Sequence, residues 1–212
     1  IKGKIEFRNV SFGYGKNEIL SDISFTVNPG EKIAIMGATG SGKTTLINLI
    51  PRIYDVTKGE ILVDDVNVRM MKLKELRGSI GIATQDVLLY SDTIDGNISF
   101  GNVDLPEEEV QKYAKAADAH NFILKTSDGY DTIIGERGVG LSGGQKQRIS
   151  LARALAVKPS ILILDDTTSA VDLETERNIQ EALSNLDFTC TKIIIAQRIS
   201  SAKDADRIII LK

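Results

Sequence analysis

The sequence has no tryptophan, and cysteine and histidine occur once each among 212 residues. With Cys190 alone, no internal disulfide can form, and a cytosolic setting is unforced. His120, the one histidine, has no ligand cluster around it and reads as a solvated or capping residue on a helix. No apolar run exceeds four residues, so no segment spans a bilayer and no signal peptide is visible. Charge of one sign is also missing. Lys and Arg number 26 against 29 Asp and Glu, a net −3 that gives no general pull toward nucleic acid or an anionic membrane. Hydrophobic content of 42% and charged content of 26% fit one globular domain with room for a subdomain. The chain begins at Ile1 rather than Met and stops just after Ile208-Ile209-Ile210-Leu211. It therefore reads as an excised piece, with any membrane part outside it.

The strongest motif is Gly37-Ala38-Thr39-Gly40-Ser41-Gly42-Lys43-Thr44-Thr45, a fit to G-x-x-x-x-G-K-[ST]. Before it lies Ile33-Ala34-Ile35-Met36, of buried-strand length; after it, a helix-like stretch from Thr44 to Ile50 that Pro51 ends or kinks. Strand, glycine loop and helix form the context of a phosphate-binding loop, in which glycines let successive N–H groups turn inward. Lys43 would reach the β- and γ-phosphates and the Thr44 hydroxyl would ligate Mg²⁺. Ile161-Leu162-Ile163-Leu164-Asp165-Asp166 is an apolar strand ending in paired carboxylates. The first is placed to hold Mg²⁺, the second to orient or deprotonate the attacking water.

Elsewhere the patterning is mixed. Residues 5–12 and 23–27 alternate as half-buried strands, with a slip near Asn9, and Asn28-Pro29-Gly30 closes the second. Tyr14, in Gly13-Tyr14-Gly15, is expected in the loop between them, where it either stacks on a base or covers the sheet edge. Residues 60–63 and 66–68 flank Asp64-Asp65 as a hairpin. Ile80 to Ala83 is a short strand with Gln85 at its C-terminal end, where ligands sit in open α/β sheets, though Gln85 alone also fits a plain surface residue. The period changes to 3.6 from Pro106 to about Lys125, with Val110, Ala114, Ala117 and Phe122 in one stripe. Ser142-Gly143-Gly144-Gln145 opens a helix running to Ala156. Ser-x-x-Gln is a capping box, but two glycines in a first turn also leave N–H groups bare for an anion. Residues 193–196 and 208–211 are expected as two more buried strands, Gln197 following the first, in a mostly parallel sheet.

Together these motifs resemble the nucleotide-binding domain of ABC transporters, over nearly the whole chain. Leu141-Ser142-Gly143-Gly144-Gln145 matches the family's signature letter for letter. Walker A is Gly37 to Thr45 and Walker B is Ile161 to Asp165. Tyr14 falls at the adenine-stacking position with Ile19 near the apolar residue beneath the base, Gln85 at the Q-loop, and Ser169-Ala170-Val171-Asp172 at the D-loop. Asp92 to Gly101 and Asp131 to Gly138 resemble exporter stretches, the latter the cross-talk loop.

The resemblance implies an α/β fold with a P-loop (RecA-like), mostly parallel sheet core, an antiparallel β subdomain and an inserted helical subdomain. The core and β part would cover about 1–85, the helical part about 86–150, and the resumed core about 151–212. It implies ATP and Mg²⁺ as ligands. Tyr14, Ile19, Thr39, Gly40, Ser41, Gly42, Lys43, Thr44 and Thr45 would hold the nucleotide, and Thr44, Gln85 and Asp165 the metal. Lys43, Gln85, Asp166 and Gln197 would take the catalytic positions. Ser142, Gly143, Gly144 and Gln145 would act in trans on the nucleotide of a second ABC domain, paired head to tail. Transmembrane domains would attach through cytoplasmic coupling helices at the inner face of the membrane, with no nucleic-acid partner.

Two residues depart from the family pattern. Its catalytic Glu is here Asp166, one methylene shorter, and its switch His is here Gln197, which cannot carry a proton at neutral pH. Losing a well-placed base costs on the order of 10²- to 10⁴-fold in rate. The chain therefore resembles the degenerate half of a heterodimeric bacterial exporter. A slow symmetric homodimer, a nucleotide-gated clamp without chemistry, and a soluble ABC ATPase stay as alternatives.

Overall fold

The structure is a computed structural model that describes residues 1–135 and 140–212. Glu136, Arg137 and Gly138, expected in a cross-talk loop, lie outside the described residues. In chain order come β1 (Ile5–Tyr14), β2 (Asn17–Val27), β3 (Lys32–Gly37), α1 (Lys43–Asn48), β4 (Lys58–Val63), β5 (Val66–Asn67), α2 (Leu73–Gly78) and β6 (Ile80–Ala83). Then follow α3 (Ile94–Ile98), α4 (Glu107–Ala116), α5 (His120–Leu124), α6 (Gly143–Ala156), β7 (Ile161–Asp165), α7 (Leu173–Ser184), β8 (Thr191–Ile195), α8 (Ile199–Ala202) and β9 (Arg207–Leu211). No described helix is long and apolar enough to cross a membrane. A four-stranded sheet has the order β2-β1-β4-β5 and a five-stranded sheet the order β6-β7-β8-β3-β9. The expected mixed α/β architecture, with an antiparallel sheet beside a parallel one, is what forms.

The chain falls into two compact units. The first is Ile1–Ile80, Ser160–Ile163 and Thr189–Lys212; the second is Gly81–Pro159 and Leu164–Phe188. In the first unit β1 pairs antiparallel with both β2 and β4. The alternation slips at Asn9 because the strand bulges there: both ladders shift register after the Phe7–Arg8 stretch, and Asn9 has a φ of 48°. Asp64 and Asp65, with φ of 48° and 66°, make the two-residue turn between β4 and β5, the left-handed pair that a right-twisted hairpin needs. Asp64 also accepts from the N–H groups of Lys2, Gly3 and Lys4 at 2.5, 3.1 and 3.0 Å, pinning the start of β1. The unit's core joins Ile5, Phe7 and Val63 of the antiparallel sheet to Ile33, Ile35, Ile193 and Ile195 of the parallel one. Burying each such side chain contributes roughly 1.5–3 kcal/mol.

Three expectations are corrected here. Tyr14 is the last residue of β1, paired with Asn17, rather than a loop residue, because Gly13 lets the strand run on where a Cβ would meet the Asn17 carbonyl oxygen at 2.1 Å. The strand at 208–211 is not buried on both faces. β9 is an edge strand, so Ile208 and Ile210 stay 49% and 66% exposed while Leu211 is buried. The helical run from Pro106 to Lys125 is two helices, broken where Asp118 takes a φ of 56°.

In the second unit α6 packs on α3 and α4, and α4 also meets α7. The predicted stripe holds for Val110, Ala114 and Ala117, all buried. His120 is neither free in solvent nor a cap. Its Nδ1 is 2.6 Å from the Tyr130 hydroxyl, and burial pulls its pKa below the ordinary imidazole value. The two exporter-like stretches are tied together by Thr93 and Ile133, which form an antiparallel bridge, and by the Ile134 N–H, which donates to the Asp92 carbonyl.

Candidate functional site

In the first unit, β3 leads directly into the phosphate loop. Gly40 and Gly42 carry φ of 83° and 93°, conformations that side chains other than glycine resist. Gly42 is also a close-approach site, since a Cβ there would lie 2.9 Å from both Ile19 Cγ2 and Leu20 Cδ2. Ile19 is thereby brought against the loop. No side chain caps α1 at Gly42. Lys43 is buried, and its ammonium donates to the carbonyls of Gly37 and Ala38 at 2.6 and 2.8 Å. The loop thus folds around its own cation. Thr39, Gly40 and Thr44 are exposed, Ser41 and Thr45 half-buried.

Two more predicted residues lie in the same unit. β8 runs parallel to β3 with Ile195 opposite Ile35, and the Ala196 N–H donates to the Ile35 carbonyl at 3.1 Å. Gln197 therefore leaves β8 at the level where the phosphate loop leaves β3, and it is exposed. Tyr14 is 46% exposed and meets the ring edges of Phe12 and Tyr54 at 5.0 and 5.3 Å. Sequence reasoning passed over Tyr54. Its signal was an Ile53-Tyr54 pair stranded after a proline, with no helix left to pack on.

The second unit holds the remaining predicted residues. Asp165 ends β7 and Asp166 follows it with a φ of 51°, which aspartate tolerates better than most side chains. Ser142 accepts from the Gln145 N–H at 3.1 Å and Gln145 Oε1 from the Ser142 N–H at 3.0 Å, closing the predicted capping box on α6. The two glycines differ. A Cβ at Gly143 would make only an ordinary contact, at 3.6 Å from Ala170, whereas at Gly144 it would strike the Ala170 carbonyl at 2.7 Å. Gly144 is thus required by packing, and Gly143 is the one that merely keeps the tip bare. An open groove of 430 Å³ is lined by Gln85, Gly143, Lys146, Gln147, Ser169 and Ala170, among others. Gln85 is exposed on it. Gln147 was also missed: a glutamine at the fifth helical position carries no motif, and only its burial reveals that it works. Next to it, Arg148 lies over the Phe122 ring at 4.7 Å and donates to the Asp118 carbonyl, and burial lowers its pKa.

Among the described residues no three His, Cys, Asp or Glu side chains gather as a metal cluster. The oxygen donors predicted for the metal, Thr44, Gln85 and Asp165, suit a hard ion that keeps water and takes the rest of its shell from a phosphate, as Mg²⁺ does.

A family model described as ABC transporter matches residues 20–169. The ATP-dependent lipid A-core flippase of Syntrophus aciditrophicus is 49% identical over 211 residues, covering 100% of this chain and 35% of the flippase. ATP-binding cassette sub-family B member 6 of Xenopus tropicalis is 50% identical over 212 residues, covering 99% of this chain and 25% of that protein. The chain therefore spans about a third or less of the length of these curated relatives. Among solved structures, a bacterial Atm1-family ABC exporter with ATP bound superposes with a TM-score of 0.95 at 40% identity, over 100% of this chain and 37% of that one. The phosphate loop, the signature tip and these relatives converge: the chain belongs to the ABC transporter family, as one of its ATPase domains.

Proposed function

We propose that this chain is the ATP-driven motor domain of an exporter, paired head to tail with a second ABC domain around two ATP molecules. Its own site binds ATP and hydrolyses it poorly, while its signature tip completes the partner's site. The observation that carries the reading is the pair Asp166 and Gln197. Asp166 follows the Walker strand one methylene short of a glutamate, with a left-handed backbone. Gln197 emerges beside the phosphate loop as a side chain that donates a hydrogen bond but cannot take up a proton at neutral pH.

Each residue has a distinct task in this reading. Tyr14 stacks on the adenine with Ile19 beneath it, and Lys43 leaves the Gly37 and Ala38 carbonyls for the β- and γ-phosphates. Thr44, Gln85 and Asp165 hold Mg²⁺, which neutralises phosphate charge when bound. Ser142 and the N–H groups of Gly143 and Gly144 meet the γ-phosphate bound by the partner. Support for a membrane partner comes from Leu88, Tyr90 and Phe100, apolar and 58%, 38% and 55% exposed, with the two rings stacked at 4.3 Å. Such a patch suits a coupling helix from a transmembrane domain at the cytoplasmic face. Turnover measured on the complete polypeptide alone, and mixed with a partner that carries Glu and His at the two positions, tests the proposal. The mixture is expected to be faster by on the order of 10²-fold or more. Equal rates would overturn it.

A further inference from the structure

Within the second unit, the D-loop is fastened to the signature helix by one buried side chain. Gln147 is 4% exposed, and its Nε2 donates to Ser169 Oγ at 3.0 Å while its Oε1 accepts from the Ala170 N–H at 3.2 Å. A backbone N–H can only donate, so the amide oxygen must face Ala170, and the orientation of the carboxamide is fixed. Gly144 supports the same contact from one turn nearer the tip, because its missing Cβ is what lets the helix rest on the Ala170 carbonyl. Asp172 then ends the segment by capping α7, accepting from the Thr175 N–H at 2.7 Å.

We infer that Gln147 is a positioning residue that makes the D-loop follow the signature tip. The inference rests on the head-to-tail reading above. When Ser142 and Gly143 engage the partner's nucleotide, α6 shifts as a rod. Gln147 sits one turn from that tip and carries Ser169 and Ala170 with it. The D-loop follows Asp165 and Asp166 in sequence, so the load state of the partner's site is written into the geometry of this chain's own carboxylates. Two neighbouring links of α6, from Arg148 to the Asp118 carbonyl and the Phe122 ring, hold its other side to the α4–α5 break. On the D-loop side, α6 is held through Gln147 and Gly144.

The test compares three variants in the complete transporter with its partner chain, carrying Asp166→Glu and Gln197→His with the partner's own site silenced so that this chain's carboxylates supply the turnover, and reads kcat, KM for ATP and the thermal midpoint. Gln147→Leu keeps the bulk and loses both hydrogen bonds. Gln147→Glu keeps them, since a carboxylate accepts from the Ala170 N–H and from the Ser169 hydroxyl. Ser169→Ala loses one. Gln147→Leu is expected to lower kcat about tenfold with KM within about twofold, Ser169→Ala to fall between, and Gln147→Glu to recover most of the rate. Unchanged kcat in Gln147→Leu overturns the proposal. So does a loss of kcat that tracks the thermal midpoint and is shared by Gln147→Glu. Ser142→Arg in the otherwise unchanged chain, with the partner's site active, separates the two claims. If it spares the partner's turnover, the head-to-tail reading fails and takes this inference with it. If it abolishes turnover while Gln147→Leu does not, the inference fails alone.

Discussion

Two helix beginnings in this chain solve the same electrostatic problem in opposite ways. At α1 no side chain caps the first turn, and a buried lysine ammonium folds back on the loop's own carbonyls. At α6 a reciprocal box between Ser142 and Gln145 satisfies two N–H groups and leaves those of Gly143 and Gly144 outside it. At the first, the ammonium would have to leave those carbonyls to meet an anion. The second is finished as a shape and offers only two bare N–H groups. An uncapped, lysine-bearing loop suits tight and lasting retention of a phosphate. In the proposed head-to-tail reading, the capped tip meets a phosphate that the partner holds.

The sharpest way to break that contrast is to repair the site beside α1. Asp166→Glu combined with Gln197→His, with the partner's own site silenced, is expected to raise turnover by on the order of 10²-fold. No gain in steady-state hydrolysis would remove the claim that these two residues limit the rate. Next in size is Lys43→Met, which removes a charged donor. ATP affinity measured by equilibrium binding should fall by roughly 10- to 100-fold, since hydrogen bonds to charged groups are worth about 1.5–3 kcal/mol. Gly144→Ala attacks the other terminus. Its Cβ would meet backbone rather than a flexible side chain, so overpacking should cost about 1–3 kcal/mol in denaturant unfolding while leaving ATP affinity at Lys43 intact.

The smallest expected effect concerns Asp95 in the second unit. Burial first, then the neighbouring charges of Asp131 and Glu107, raise its pKa above the ordinary carboxylate value. The folded state therefore binds this proton more readily than the unfolded one. The carboxylate destabilises the fold at neutral pH, and that penalty is relieved as pH falls through the raised pKa. Asp95→Asn should raise the thermal midpoint by about 1–2 °C at pH 7, with the difference shrinking on acidification. A gain that persists unchanged at low pH would show that charge is not its cause.

How much of this could be read from sequence depended on whether a feature is local. The strand, glycine loop and helix around Lys43, the Asp64-Asp65 turn and the capping box each need only a few consecutive residues, and each has the expected local structure. The bulge at Asn9 was visible as a slip in alternation. Features set by neighbours distant in sequence were not legible. β9 reads as a buried strand because its four apolar residues give no hint that it lies at the sheet edge. The break at Asp118 shows only as a slip in the stripe: Ala117 and Phe122 stand five residues apart, and beyond the break Ile123 rather than Phe122 is buried. Gln147 carries no motif of its own, and its importance lies in Ser169 and Ala170, more than twenty residues away.

One quiet feature has practical weight. The thiol of Cys190 is buried, and desolvation pushes its pKa up to about 11, so at neutral pH almost none of it is thiolate. Maleimide reagents should pass it by. A reporter cysteine placed on the exposed face of α7 or beside Gln85 could then be labelled selectively in this domain without first removing Cys190.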